Sequence, residues 1–269
     1  MIAAVTPQII QCKLASSYPT ASSVEAATTQ SRHHVSGNFM AKVMRKFIVF
    51  MTFVFLTISC FGQEDFIINE LVKPKKFKYL NKSDIKGNRS VIYEDSLYVV
   101  SKTCNGEFGG KVIFKSKKTC IDFITEATCP VVVNKLNDKY YVTNTLAHLI
   151  GSSNIIEISN PEEIGIGVDS IYLKGIKYIV DSVGVLTLSS FPYNGELYHI
   201  VTDFKKTYLT KVENNAFVTI DTVSNECLWT YNPRVLVTES GHFVTFFNNY
   251  DTEGYFDIFE NQITVVRKR

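Results

Sequence analysis

Residues 139–164, KYYVTNTLAHLIGSSNIIEISNPEEI, set the pattern that most of this chain repeats. In 140–145 (YYVTNT) and 154–159 (NIIEIS), β-branched and aromatic residues mix with polar ones at a period near two. That is the pattern of a strand with one buried face. Gly151-Ser152-Ser153 between them supplies small loop residues. Asn160-Pro161 ends the second strand, because proline has no ladder donor and fixes φ.

The same order of strand, loop and strand recurs three times. Residues 96–101 (SLYVVS) precede 109–114 (GGKVIF), 196–201 (ELYHIV) precede 207–212 (TYLTKV), and 242–247 (HFVTFF) precede 254–259 (GYFDIF). A short polar turn follows each second strand, and an apolar run then resumes, as in 216–220 (AFVTI) and 263–266 (ITVV). With Tyr98, Tyr141, Tyr198 and Phe243 taken as equivalent, the intervals are 43, 57 and 45 residues. Two of them fall near the roughly 40–50 residues of a four-stranded propeller blade. The longer one holds a further strand-like run around Ile176-Lys177-Tyr178-Ile179-Val180. Periods of 3.6 are scarce after Asn88, so little helix is expected. The expected fold is therefore all-β, a β-propeller-like ring of about four four-stranded blades over residues 90–269. A β-sandwich or open barrel is the alternative, since those folds also space aromatic strands loosely.

The head of the chain differs. Residues 1–43 are rich in Ala, Ser and Thr without sustained period. Met44-Arg45-Lys46 then leads into the apolar run FIVFMTFVFLTISCFG, residues 47–62. A basic start, a short apolar core and small residues read as a secretory signal peptide over 44–62. The core is shorter than the ~20 residues a membrane-crossing helix needs. Met44 or Met40 is then the expected start, with 1–43 an upstream or disordered extension. Cleavage after Gly62 is expected, and lipidation at Cys60 is the lesser alternative, because Thr57 and Ile58 depart from a lipobox.

Removing residues 1–62 leaves 23 basic against 25 acidic side chains, a net charge of −2. No clustered positive field remains, which argues against a nucleic-acid partner. The one basic run is Lys73, Lys75, Lys76, Lys78 and Lys82, interleaved with Phe77 and Tyr79. It reads as a solvated lead-in over 63–89, with an edge strand whose lysines oppose aggregation.

Cys12 and Cys60 leave with the head, so Cys104, Cys120, Cys129 and Cys227 remain. One bridge among the first three is the economical expectation in an exported chain. Cys227 then packs as a free thiol. His148, His199 and His242 sit in successive repeats, where convergence on a metal is not expected; no HExxH or CxxC pattern is present. There is no Gly-x-Ser-x-Gly elbow, and Gly165-Ile166-Gly167 lacks the rest of a phosphate-binding loop. Paired carboxylates of a glycosidase are the more serious enzymatic option, with Asp169, Asp181, Glu196, Asp203 and Glu239 as candidates by type. No catalytic, cofactor or metal set is assigned.

In its repeat order over residues 90–269, the chain resembles exported bacterial proteins with small β-propeller-like repeats. That resemblance implies a rigid ring whose loops present a binding face. The expected function is an exported binding or scaffold protein of the cell envelope, with a peptide, protein or glycan as partner. Phe191, Tyr193, Asn194 and Trp229 are candidate face residues. A glycan-active hydrolase and a structural subunit of an envelope machine are the alternatives. The mature chain is expected to lack a membrane span.

Overall fold

The computed structural model describes residues 66–73, 90–165, 175–249 and 252–268. The extension 1–43, the leader 44–62, the basic run from Lys75 to Lys82 and Asp169 lie outside the described residues. The described residues hold seventeen strands, two single 3-10 turns (Gly106–Phe108 and Pro161–Glu163) and no α-helix.

The strands form four sheets that follow one another along the chain. The first holds β2 (Val91–Glu94), β3 (Tyr98–Cys104), β4 (Gly110–Ser116) and β5 (Asp122–Ala127). The second holds β6 (Pro130–Leu136), β7 (Lys139–Leu146), β8 (Ser152–Ile158) and β9 (Ile176–Val183). The third holds β10 (Leu186–Tyr193), β11 (Glu196–Thr202), β12 (Thr207–Glu213) and β13 (Ala216–Ser224). The fourth holds β14 (Val235–Val237), β15 (Phe243–Asn249), β16 (Thr252–Phe259) and β17 (Gln262–Lys268), with β1 (Ile67–Lys73) parallel to β17 at its edge. Apart from that parallel pair, each sheet is an antiparallel meander. The all-β, blade-like arrangement of four sheets therefore stands. Local sequence explains the meanders. Asn137-Asp138, Asn194-Gly195 and Asn214-Asn215 all take positive φ, as two-residue hairpins with the right twist require.

Two sequence expectations need correction. The run around Ile176 is no additional strand; it is β9, the ordinary fourth strand of the second sheet. The longer interval comes from the 159–175 connection instead. Tyr141 is also not the equivalent of Tyr98 and Tyr198. All three lie on the second strand of their sheets, but in the second sheet the buried aromatic is Tyr140. Tyr141 is half-buried, and its hydroxyl donates to Glu157 at 3.0 Å. Strand side chains alternate, so a one-residue slip moves the ring to the other face. Phe243, on β15, is half-buried rather than buried.

Successive sheets meet in different ways. The first and second share an apolar core in which Tyr98, Phe114, Val142, Ile156 and Ile158 surround Tyr140. The third and fourth share another, built around Phe191, Tyr198, Leu209, Phe247, Phe256 and Ile263. Phe66, just before β1, packs edge-on against Tyr193 and Tyr198 in that core. Between the second and third sheets the contact is polar. Asn134 donates to Ser190 at 3.1 Å, and the Thr187 N–H donates to Ser153 at 2.7 Å. Val131 and Val132 on β6 meet Val235 on β14, which brings the first strands of the second and fourth sheets together.

Candidate functional site

The turns between the second and third strands of the first three sheets lie at one end of the fold, and direct contacts link them. His148 pairs with Glu107 at 3.2 Å, joining the β3–β4 and β7–β8 loops. The Gly184 N–H donates to the Gly151 carbonyl, which brings in the β9–β10 turn. A Cβ on Gly151 would stand 2.7 Å from the Phe204 ring, so the β11–β12 turn packs against it. Gly151 has φ +72 as well, and both facts call for glycine there. Thr202 then touches Cys227, and the Asn249 amide donates to the Cys227 carbonyl. This loop-bearing end displays large apolar side chains. Leu149 is 88% exposed, Ile150 68% and Phe108 84%, and Val183, Phe204 and Tyr231 are exposed too.

A cleft of about 320 Å³ opens at this end between the first and second sheets. Deeper in the same interface, Val112, Phe114 and Phe123 fill the space. At the cleft, Gly110 and Ala127 take the paired positions on β4 and β5, and neither carries a large side chain. Gly110 is needed there, because a Cβ would meet the Thr103 carbonyl oxygen at 2.3 Å. Across the gap stand Asn154, Ile156 and Tyr178 of the second sheet. Asn105, Phe108 and Thr128 complete the wall. A disulfide joins Cys104, beside Thr103 and Asn105, to Cys129, beside Thr128, with Cα atoms 4.8 Å apart. The bridge fixes both ends of the first-sheet wall. This is one bridge among the first three cysteines, as expected, and it leaves Cys120 exposed and Cys227 half-buried as free thiols.

Lys111 and Glu126 also line the cleft, and they are direct partners across β4 and β5. Side chains alternate along a strand, so both share the face opposite Gly110 and Ala127. The lining thus holds one charge of each sign and no net charge. Asn154 accepts from Asn144 at 2.8 Å, while its own amide NH2 has no partner among the described residues. Tyr178 is 47% exposed, and its hydroxyl is likewise without a partner among them.

Among the described residues, the carboxylates named from sequence do not gather. Asp181 is exposed on β9, and Glu239 is exposed in the β14–β15 turn. Asp203 caps its own turn by accepting from the N–H groups of Lys205 and Lys206, both at 2.9 Å. Burial pushes its pKa up, but these bonds and the Tyr208 hydroxyl outweigh that and hold it low. Glu196 lines a second cavity of about 260 Å³ between the second and third sheets, together with Glu213. Lys211 sits between those two acids, at 3.7 and 2.8 Å. That makes an ion cluster rather than an acid and base across a substrate gap.

The histidines have three separate surroundings. His148 pairs with Glu107, and His242 lies 2.7 Å from Asp257. His199 is fully buried with neither ring nitrogen hydrogen-bonded, and its ring packs against Phe217. Burial pushes its pKa down to about 3. Among the described residues, no group of three His, Cys, Asp or Glu could hold a metal.

Of the aromatic candidates, Phe191 is buried in the core and Tyr193 packs on Phe66 and Tyr198. Tyr193 and Asn194 flank the β10–β11 turn, away from the loop-bearing end. Trp229 is half-buried against Tyr231. The aromatics that do reach the loop-bearing end, Phe108, Phe204 and Tyr231, carry no sequence signal because an isolated aromatic in a loop has no period. Tyr178 sits within a strand-like run, which gives no hint that its ring borders a cleft.

Lys102 is a further unusual group. Its ammonium donates to the Pro130 carbonyl. Burial, with a contribution from the Arg234 charge, pushes its pKa down to about 8. No helix of the described residues is long and apolar enough to cross a membrane. Comparison with protein families, curated proteins and solved structures finds no match to this chain.

Proposed function

We propose that the chain is an exported binding protein of the bacterial cell envelope, its four sheets forming a β-propeller-like ring. The loop-bearing end of that ring is its binding face. One observation carries the reading: linked loops from successive sheets hold Phe108, Leu149, Ile150 and Phe204 out to solvent at a single end. Contiguous apolar surface of this kind is costly unless a partner covers it. Export is supported by the leader pattern over 44–62 and by the Cys104–Cys129 bridge, since disulfides persist in oxidising compartments.

The full chain should be expressed in a Gram-negative host and the product recovered from its envelope fractions. Mass spectrometry is expected to find Gln63 at the N-terminus, and a fatty-acylated Cys60 would replace the soluble form by a lipoprotein. Wild-type protein is expected to co-fractionate with the envelope. The Leu149→Ser, Ile150→Ser, Phe204→Ser variant should be exported and folded but released as soluble protein. Equal retention of both would remove the binding face.

The free edge of β1 favours a second reading, that of a structural subunit. Its only strand partner among the described residues is β17, and Ile67, Leu71 and Val72 are exposed. Exposed apolar edges template strand pairing. Concentration-dependent self-association that Leu71→Lys abolishes would favour it.

A further inference from the structure

We infer that the cleft between the first and second sheets is a binding site for a neutral saccharide. This rests on the loop-bearing end being the binding face. The argument begins with what the wall offers. Asn105, Thr128, Asn154 and Tyr178 supply amide and hydroxyl groups that can both donate and accept. Phe108 and Tyr178 add aromatic rings, the first largely open to solvent and the second about half exposed. A sugar ring presents the complementary surface, with hydroxyls around its edge and an apolar C–H face. Aromatic side chains are suited to such mixed surfaces, since they bury large area at low entropic cost.

Charge decides against an ionic ligand. Lys111 and Glu126, the two charged residues of the lining, are direct partners of opposite sign across β4 and β5, so the cleft carries no net charge to attract an anion or a cation. A charged group taken from water without a counter-charge would be strongly disfavoured. Size sets the length. About 320 Å³ is at the low end of small-molecule sites, which run from about 300 to 1,000 Å³. One or two sugar rings fit, and a longer glycan would continue past Phe108 onto the open end.

The site is also rigid where it needs to be. The Cys104–Cys129 bridge ties the end of β3 to the connection that enters β6. Asn105 and Thr128 therefore keep their spacing without a ligand, which lowers the entropic cost of binding. On the other wall, the bond from Asn144 orients the Asn154 amide and leaves its NH2 for the ligand.

The test uses the folded chain from Gln63 onward with its disulfide intact. Glucose, N-acetylglucosamine, cellobiose and chitobiose are titrated at up to about 10 mM, a range that captures millimolar dissociation constants. Saturation-transfer and amide-shift NMR are the readouts. At least one saccharide is expected to bind and to shift the amides of Asn105, Gly110, Thr128 and Asn154. Tyr178→Ala, with unchanged thermal melting, and Asn154→Asp, which keeps the oxygen that accepts from Asn144 but removes the free NH2, should each weaken binding about tenfold or more. Absence of binding by all four sugars overturns the assignment, as does binding that ignores both substitutions. Selective binding of unstructured peptides at the same amides overturns it in favour of a peptide site. Envelope retention lost in the Leu149, Ile150, Phe204 variant separates the two readings. If the variant loses retention while sugars fail to bind, only the cleft assignment falls.

Discussion

His199 shows what a single buried side chain does to pH dependence. Its folded pKa of about 3 lies below the ~6.5 of an unfolded histidine. Between those values the unfolded chain binds a proton that the folded chain does not. Stability from this group is therefore full above about pH 6.5 and is lost as pH falls towards 3, at up to about 1.4 kcal/mol per unit. Both ring nitrogens also lack partners, so His199→Leu should be neutral or stabilising by about 1 kcal/mol at pH 7. Urea midpoints at pH 4.5 and 7 should show a smaller acid loss in the variant than in wild type. An equal loss would mean that the ring is not buried neutral.

Tyr140 gives the opposite case. Its ring packs on Tyr98, Tyr93 and Phe114, and its hydroxyl donates to Asp95 at 2.8 Å. Asp95 also accepts from the Leu97 and Tyr98 N–H groups and from Lys135. Burial raises the pKa of Asp95, but these donors prevail and hold it below its ordinary value. Tyr140→Ala should cost about 3–5 kcal/mol, as for other large buried rings. Tyr141→Ala should cost about 1 kcal/mol, and equal losses would return the repeat register to Tyr141.

Among the elements, the hinge between the first and second sheets is stapled and the chain end is clamped. The Cys104–Cys129 bridge spans 25 residues, a loop for which chain entropy alone predicts about 3 kcal/mol. Cys104→Ser with Cys129→Ser should lower the urea midpoint accordingly, without altering the slope. Non-reducing peptide mapping should recover this pair, with Cys120 alkylated quickly and half-buried Cys227 slowly. Recovery of a Cys104–Cys120 bridge would contradict the geometry of the cleft wall. At the other end, Arg267 of β17 reaches Glu70 of β1, Glu226 and Ser224. One guanidinium thus ties the first strand to the last and both to the third sheet.

Across the whole fold, the two apolar cores and the polar contact between them imply unequal interfaces. First with second, and third with fourth, are joined by large rings and aliphatic side chains. Second with third meet through Asn134, Thr143, Ser190 and His199, and Thr143 and His199 leave buried polar atoms unpartnered. Thr143→Val combined with His199→Leu should raise the urea midpoint, because it removes three such atoms while keeping the volume nearly constant. Val142→Thr, one residue away but facing the apolar core, should lower it by about 1–3 kcal/mol. A double variant less stable than wild type would show that those atoms have partners in solution.

The sequence by itself determined the strands, their hairpins and the scarcity of helix. Those features are local: alternation at period two identifies a strand, and Asn137-Asp138, Asn194-Gly195 and Asn214-Asn215 suit tight turns wherever they occur. It also placed Cys104, Cys120 and Cys129 close enough in the chain to expect a single bridge among them. Tertiary structure alone decided which of Tyr140 and Tyr141 faces the core, because both fit the alternation and only the neighbouring sheet distinguishes them. It decided the parallel pairing of Ile67–Lys73 with Gln262–Lys268, since strands so far apart in the chain carry no mutual signal. The cleft is of the same kind. Gly110 and Ala127 look like ordinary small residues in sequence, and they become a cavity only where Asn154 and Tyr178 of another sheet stand opposite. The gap belongs to the packing of two sheets, a property that neither strand possesses alone.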